Sequence, residues 1–281
     1  GFCIPFAAYA DFMRGNGLNE RIARMRQLPG FATDSGVRRQ ALSALQAEIM
    51  QWPVPHSVAD SWSQRWASQL GSQGVFVRSS SSSEDLPHFS GAGLYTTVPN
   101  VRSSADLAAA VRKVWASVYN FEAWEARQAA GIDDQQVMMS VLVQKAVDST
   151  ASGVMITRDP FDASRRHMSY IAAKRGIGIR VVEGQRVAEQ ILYSSRSKAV
   201  QVLNRSQDDV ALQLDANGGV REIAIAAGRA VLSDALVQRL ARAGASIKQR
   251  FGGKEQDIEW AVQGDQIIIL QARPFISAPV R

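Results

Sequence analysis

Two short runs near the carboxyl end, Gln256 to Val262 and Gln266 to Arg273, flank Gly264-Asp265 and alternate in character with period two. Glycine in a tight turn between such runs reads as an antiparallel hairpin, and Pro274 stops the second strand because it has no N–H to give to a ladder. Asp257 and Glu259 share one parity on the first strand, and Gln271 and Arg273 share one on the second. Ile258, Trp260, Ile268 and Leu270 take the other parities, as expected for side chains that alternate across a sheet. An odd number of loop residues would bring the polar sets onto one face, whereas a two-residue turn would place them on opposite faces. Shared, they form a patch of two carboxylates, an amide and a guanidinium. Carboxylate and amide oxygens suit Mg²⁺, and a guanidinium suits a phosphate oxygen. The plain alternative is a solvated hairpin with its charges outward.

Upstream, helical spacing dominates from Tyr9 to about Gln51, clearest at Leu42, Leu45 and Ile49, and Trp52-Pro53-Val54-Pro55 ends it. A second helix is predicted from Ser57 to Leu70, with Trp62 and Trp66 on its core side. A long one runs from Ala105 to about Ala130 behind an N-cap at Ser104. Strands are predicted at Gly74 to Arg78, Val137 to Val147, Gly153 to Thr157, Tyr170 to Ala173, Val181-Val182 and Val187 to Tyr193. The second and third of these read as a hairpin or a crossing between lobes. A helix opening at Leu232-Ser233 precedes the terminal hairpin. The fold class is therefore α/β or α+β. Its 281 residues exceed the usual size of one domain, and two lobes are expected, 1–145 and 146–281.

Composition narrows the function classes. A hydrophobic share of 46% excludes a disordered chain. One cysteine, Cys3, excludes an internal disulfide and a cysteine-based metal site, and fits a reducing, cytoplasmic setting. No apolar run approaches the ~20 residues that span a bilayer, and Gly1 to Ala10 lack the features of a signal peptide. The net charge of +6 attracts anions generally. Basic residues are nevertheless scattered, with no stripe interleaved with aromatic residues, which disfavours nucleic acid as the partner.

A second constellation follows the strand at Gly74 to Arg78. Arg78 leads into Ser79 to Ser83, Glu84-Asp85-Leu86-Pro87 and then Phe89-Ser90-Gly91-Ala92-Gly93. An arginine at a strand end, hydroxyls and a glycine-containing loop can hold a polyphosphate through charge, side-chain donors and backbone N–H groups. The same residues could instead form a flexible connector. No Gly-Lys-Ser/Thr phosphate loop is present.

Four motifs in order carry a resemblance. They are Arg78-Ser79-Ser80 through Glu84-Asp85-Leu86-Pro87; Ser152-Gly153-Val154 with Thr157-Arg158-Asp159-Pro160; Asp257-Ile258-Glu259; and Leu270-Gln271-Ala272-Arg273-Pro274. They resemble the nucleotide-binding domain of the phosphoenolpyruvate synthase and pyruvate phosphate dikinase family, found also in rifampicin phosphotransferase and in glucan water dikinases. The resemblance implies an ATP-grasp fold, with ATP between two lobes. It implies that Arg78 binds phosphates, that Ser90, Gly91 and Gly93 cover them, and that Gln144 and Lys145 lie beside the adenine. Glu259 and Gln271 would hold Mg²⁺, and Arg273 would neutralise charge as the phosphoryl group leaves, so that Arg78 and Arg273 are the catalytic candidates.

The family passes the phosphoryl group to a histidine on a separate swivelling domain. His56, His88 and His167 lack that histidine's sequence context, so the phosphohistidine domain and the acceptor-substrate domain are expected outside this chain. Ile179 stands where the family commonly has an acidic residue near the ribose, and the family's phosphate-binding lysine segment lies upstream of Gly1. These two departures motivate the alternative, a degenerate nucleotide sensor or docking module without phosphoryl transfer.

Overall fold

The computed structural model describes residues 1–71, 73–86, 89–91, 93–179 and 188–276. The chain divides into two compact units: residues 1–146 with 215–219, and residues 147–214 with 220–281.

In the first unit β1 (Phe2–Ile4), β6 (Met139–Lys145), β2 (Val75–Ser81) and β5 (Val98–Val101) form an antiparallel sheet in the order β1-β6-β2-β5. Val75, Val77, Val141 and Val143 have no exposed surface. They share one face because Val77 pairs with Val143, and each stands two residues from the next along its strand. Helices α1 (Phe6–Gly15), α2 (Leu18–Arg26), α3 (Ser35–Gln51), α4 (His56–Leu70), α5 (Ser104–Ala116) and α6 (Phe121–Ala129) supply the rest of this core. Trp115 sits at its centre, with the rings of Phe12, Trp62 and Tyr9 at 4.9, 5.7 and 6.1 Å. Such aromatic pairs contribute about 0.5–1.5 kcal/mol each beyond their buried area.

The single helix predicted over 105–130 is two. A 3₁₀ turn at Ser117–Tyr119 and an extended Asn120 separate α5 from α6. Asn120 is held in that conformation by tertiary bonds, accepting from Gln46 Nε2 at 2.7 Å and donating to the Leu94 carbonyl at 2.9 Å. The serine run also differs from a pure loop. Ser79, Ser80 and Ser81 extend β2 and pair with Val141, Ser140 and Met139.

The second unit is a six-stranded antiparallel sheet, β10 (Val200–Asn204), β9 (Glu189–Ser194), β8 (Met168–Arg175), β7 (Ala151–Ile156), β13 (Gln256–Gln263) and β14 (Gln266–Pro274) in that order. β6 and β7 therefore belong to different sheets and form no hairpin. Helix α7 (Asp234–Arg250) is capped by Ser233 Oγ, which accepts from the Leu236 N–H. Its Val237 and Leu240 pack against Met155, Ile171, Ile191, Ile258 and Trp260. Gly244 is required at this contact, since a Cβ there would lie 2.3 Å from the Met155 methyl. Short pairs β3 (Asp85–Leu86) with β4 (Phe89–Ser90), and β11 (Val210–Leu214) with β12 (Val220–Ala224), complete the described fold. The sequence reading missed β10, β11 and β12, and its strand at Val181-Val182 lies outside the described residues.

Candidate functional site

Because α7 occupies one face of the second unit's sheet, polar side chains gather on the other. β13 and β14 are joined by the two-residue turn Gly264-Asp265, with Gln263 opposite Gln266. On the sequence argument such a turn should have sent the two polar sets to opposite faces. It does not, because the register shifts between Glu259 and Trp260. Trp260 faces Ile269, whereas Glu259 faces Gln271, so Leu270 is an extra residue on β14, a β-bulge. Before the bulge Ile267 packs into the α7 core, and after it Ala272 does. Gln271 and Arg273 are thereby returned to the face of Glu259 and Asp257.

Asp257 faces Arg273 and accepts on Oδ2 from Nε at 3.0 Å and Nη2 at 2.9 Å. The other Asp257 oxygen, Oδ1, is buried with no hydrogen-bond partner among the described residues. Continuing across the sheet, Ala261 pairs with Ser152 and Ser152 with Lys174, which puts Lys174 on the same face. Lys174 is 4% exposed and its Nζ lies 3.6 Å from Asp208 Oδ2. The sequence reading passed over it: Lys174 follows the apolar run Ile171 to Ala173 and precedes Arg175, where a lysine reads as the exposed end of a strand. Ile179 is half-buried.

In the first unit, Phe76 pairs with Gln144 and Arg78 with Leu142, so Arg78 and Gln144 are diagonal neighbours on the face away from the helical core. Arg78 Nη1 donates to Gln144 Oε1 at 3.1 Å. Lys145 takes the other parity and is exposed. The segment after Arg78 is anchored from behind. Arg127 and Asp134, both with no side-chain exposure, pair at 2.7 Å. Arg127 Nη1 also donates to the Tyr95 hydroxyl at 3.3 Å, which meets Ser83 Oγ at 3.1 Å, and Ser83 Oγ meets Ser81 Oγ at 3.0 Å. Burial raises the Asp134 carboxyl above the usual range, opposed by Arg127. Glu84 ties the loop together: its Oε2 accepts from the Ser81 N–H at 3.0 Å and its carbonyl from the Gly91 N–H at 2.8 Å. A Cβ at Gly91 would press on Glu84 Cα at 3.1 Å and on the Tyr95 ring at 3.2 Å. Gly93 has φ +76°, the left-handed region glycine favours. The Ser90 side chain, His88 and Ala92 lie outside the described residues.

A sequence profile of the family described as pyruvate phosphate dikinase, AMP/ATP-binding domain, matches residues 1–279. The chain belongs to that family. Its helices and antiparallel sheets are the family's ATP-grasp-like nucleotide-binding architecture. Similar proteins include the rifampicin phosphotransferase of Streptomyces sviceus, 32% identical over 282 residues that span 98% of this chain and 32% of the relative. The Bacillus subtilis protein of the same name is 33% identical over 286 residues, with shares of 98% and 32%. The phosphoenolpyruvate synthase of Pseudomonas aeruginosa is 32% identical over 300 residues, with shares of 98% and 37%. The chain spans about a third of the length of these relatives. Among the described residues no helix is long and apolar enough to cross a membrane, and no group of three His, Cys, Asp or Glu side chains is placed to hold a metal ion. A cation on this sheet would accordingly take the amide of Gln271, and oxygens from a ligand, beside the carboxylates.

Proposed function

We propose that this chain is the Mg-ATP-binding part of a cytoplasmic dikinase-type phosphotransferase, which passes a phosphoryl group from ATP to a histidine on a separate swivelling domain. One observation carries the reading: the bulge at Leu270 seats Glu259 opposite Gln271 and Asp257 opposite Arg273 on the face turned away from α7. The donor set fits magnesium. A carboxylate and an amide oxygen stand at one register position, and Asp257 Oδ1 is a buried oxygen lacking a hydrogen-bond partner among the described residues. Glu259 and Gln271, with Asp257 Oδ1 beside them, would hold the cation, whose positive charge would lower what the chain must neutralise.

The chain's own residues have two tasks. Arg273, oriented by Asp257, presents a forked donor to equatorial phosphate oxygens, and Arg78 presents another from the middle of β2. The loop of Glu84, Gly91 and Gly93 would cover the phosphates at a point where Gly91 admits no side chain, its shape held by the Gly91 N–H on the Glu84 carbonyl and the Glu84 N–H on the Ser81 carbonyl. Gln144 would adjoin the base, exchanging its bond with Arg78 for one to the ligand, and Lys145, whose side chain takes the other face of β6, would adjoin it through its backbone. The acceptor substrate would bind to domains beyond this chain.

Calorimetric titration of Mg-ATP tests the site. Glu259→Ala and Arg273→Ala are expected to weaken binding about tenfold or more, which is roughly 1.4 kcal/mol, with the circular dichroism unchanged. Wild-type affinity in both variants would overturn the assignment. For transfer, the complete protein is incubated with ATP labelled in the β or the γ phosphate and assayed for acid-labile phosphohistidine. ATP bound without label on protein would return the sensor reading.

A further inference from the structure

A cleft of about 400 Å³ in the second unit is lined by Arg158, Ala163, Arg166, Lys248, Gly253 and Glu255, and includes none of Asp257, Glu259, Gln271 or Arg273. Its charge is unbalanced. Three cations face one carboxylate, and that carboxylate is already engaged on both oxygens: Glu255 Oε1 accepts from Lys248 Nζ at 2.6 Å and Oε2 from Thr157 Oγ1 at 2.7 Å. The nearby acids do not redress the balance. Asp159 and Asp162 accept backbone N–H bonds that shape the 159–164 loop, and both pair with Arg165 rather than with Arg166. Arg166 makes no side-chain hydrogen bond or ion pair among the described residues.

The walls are also ordered in advance. Arg158 is fixed by a bond from Nε to the Asp159 carbonyl at 3.1 Å and by the Phe275 ring, 5.7 Å from Cζ to the centroid. That leaves both terminal nitrogens of its guanidinium as donors. At the end of α7 the carbonyls of Lys248 and Gln249 accept from the Gly253 and Gly252 N–H groups at 2.9 and 3.1 Å. The cleft therefore meets the Lys248 ammonium rather than open helix carbonyls, which would repel an anion.

We propose that this cleft is a second anion site, distinct from the hairpin, that takes a small phosphate-bearing anion. Two forked guanidinium groups and an ammonium around a volume of this size match the several oxygens of a diphosphate group better than they match a single carboxylate. The proposal does not depend on the function assigned to the hairpin.

The test is titration of the 281-residue chain with inorganic pyrophosphate in low salt without divalent cations, followed by phosphorus NMR and calorimetry. Arg166→Glu reverses a charge that holds no structural bond, so it is expected to keep the wild-type melting temperature and weaken pyrophosphate binding about tenfold or more. Arg166→Lys is expected to restore most of the affinity. Arg273→Ala is the control for capture at the hairpin, and binding at the cleft should survive it. The proposal is overturned if the wild type shows no saturable binding, if Arg166→Glu binds as the wild type does, or if Arg273→Ala alone abolishes the signal.

Discussion

Glu259 stands directly opposite Gln271, while its neighbour Trp260 stands opposite Ile269, so β14 spends two residues where β13 spends one. The face of Gln271 and Arg273 is set by the number of ladder positions between them and the turn, and Leu270, bulged out, takes none. Deleting it would remove the bulge but leave Gln271 opposite Glu259, because the Gly264-Asp265 turn is already in register with Ile269. Inserting an alanine between Leu270 and Gln271 would instead carry Gln271 and Arg273 to the face of Trp260. The deletion is expected to keep Mg-ATP affinity within about tenfold, and the insertion to lose it, since a one-residue slip moves every later side chain across the sheet. Calorimetry on the two variants decides the matter, and equal affinities would refute the role given to the bulge.

Asp257 holds Arg273 by two hydrogen bonds on Oδ2 and keeps Oδ1 in reserve. Asp257→Asn removes a carboxylate from the cation side and loosens the arginine on the phosphate side. The two effects have opposite signs in different conditions. With magnesium present, ATP binding is expected to weaken about tenfold or more; with the metal chelated, it is expected to stay equal or tighten, because a neutral amide in place of the carboxylate leaves more of the arginine's charge uncompensated for phosphate. A uniform loss in both conditions would show that Asp257 acts only by supporting the hairpin.

The alternation of Asp257 with Glu259, and of Gln271 with Arg273, was legible because a strand writes its faces with period two. Where β14 takes its extra residue was not, since parity within Gln266 to Arg273 is the same whichever position bulges. Nor could helical periodicity reveal the break at Asn120: its cause lies in bonds to Gln46 and Leu94, far away in sequence. The strands Val200–Asn204 and Val220–Ala224 escaped notice because they are short and mostly exposed, so neither writes a buried apolar face into the sequence. Lys174 escaped for the opposite reason: beside Arg175 it reads as exposed, whereas it is buried next to Asp208, an acid on another segment.

Asn100 is buried at φ +48° and donates from Nδ2 to the carbonyls of Asp215 and Gly219 at 2.7 and 2.8 Å. Its own carbonyl accepts from the Gly219 N–H at 3.1 Å. The asparagine thus secures the 215–219 turn within the first unit while occupying a backbone region that costs most residues about 1 kcal/mol. Asn100→Gly should lose the two side-chain bonds at about 1–3 kcal/mol, and Asn100→Ala should lose them and add backbone strain. Urea midpoints in the order wild type, Gly, Ala are expected. Gly74→Ala should be as damaging, because the new Cβ would fall 2.1 Å from Asn100 Oδ1. An alanine variant as stable as the glycine one would remove the strain from the account.

Alkaline pH probes the core of the first unit. The hydroxyls of Tyr9 and Tyr119 meet at 3.4 Å in a region where both residues are buried. Burial pushes the Tyr119 phenol up to about 12 and raises Tyr9 as well. An unfolded chain releases these protons near pH 10 whereas the native chain retains them, so the native state binds more protons in that window and stability must fall as pH rises. Below about pH 10 the contribution is complete; by pH 12, Tyr119 alone should cost on the order of 2–3 kcal/mol. Urea midpoints at pH 8, 10 and 11, read beside tyrosinate absorbance, are expected to show the Tyr9 and Tyr119 phenols ionising only as the fold is lost. Tyr119→Phe should flatten the decline while costing about 1 kcal/mol at neutral pH for the lost hydrogen bond. If Tyr119→Phe removes a tyrosinate signal that appears near pH 10 with the far-ultraviolet dichroism unchanged, the pair is open to water and the burial argument fails.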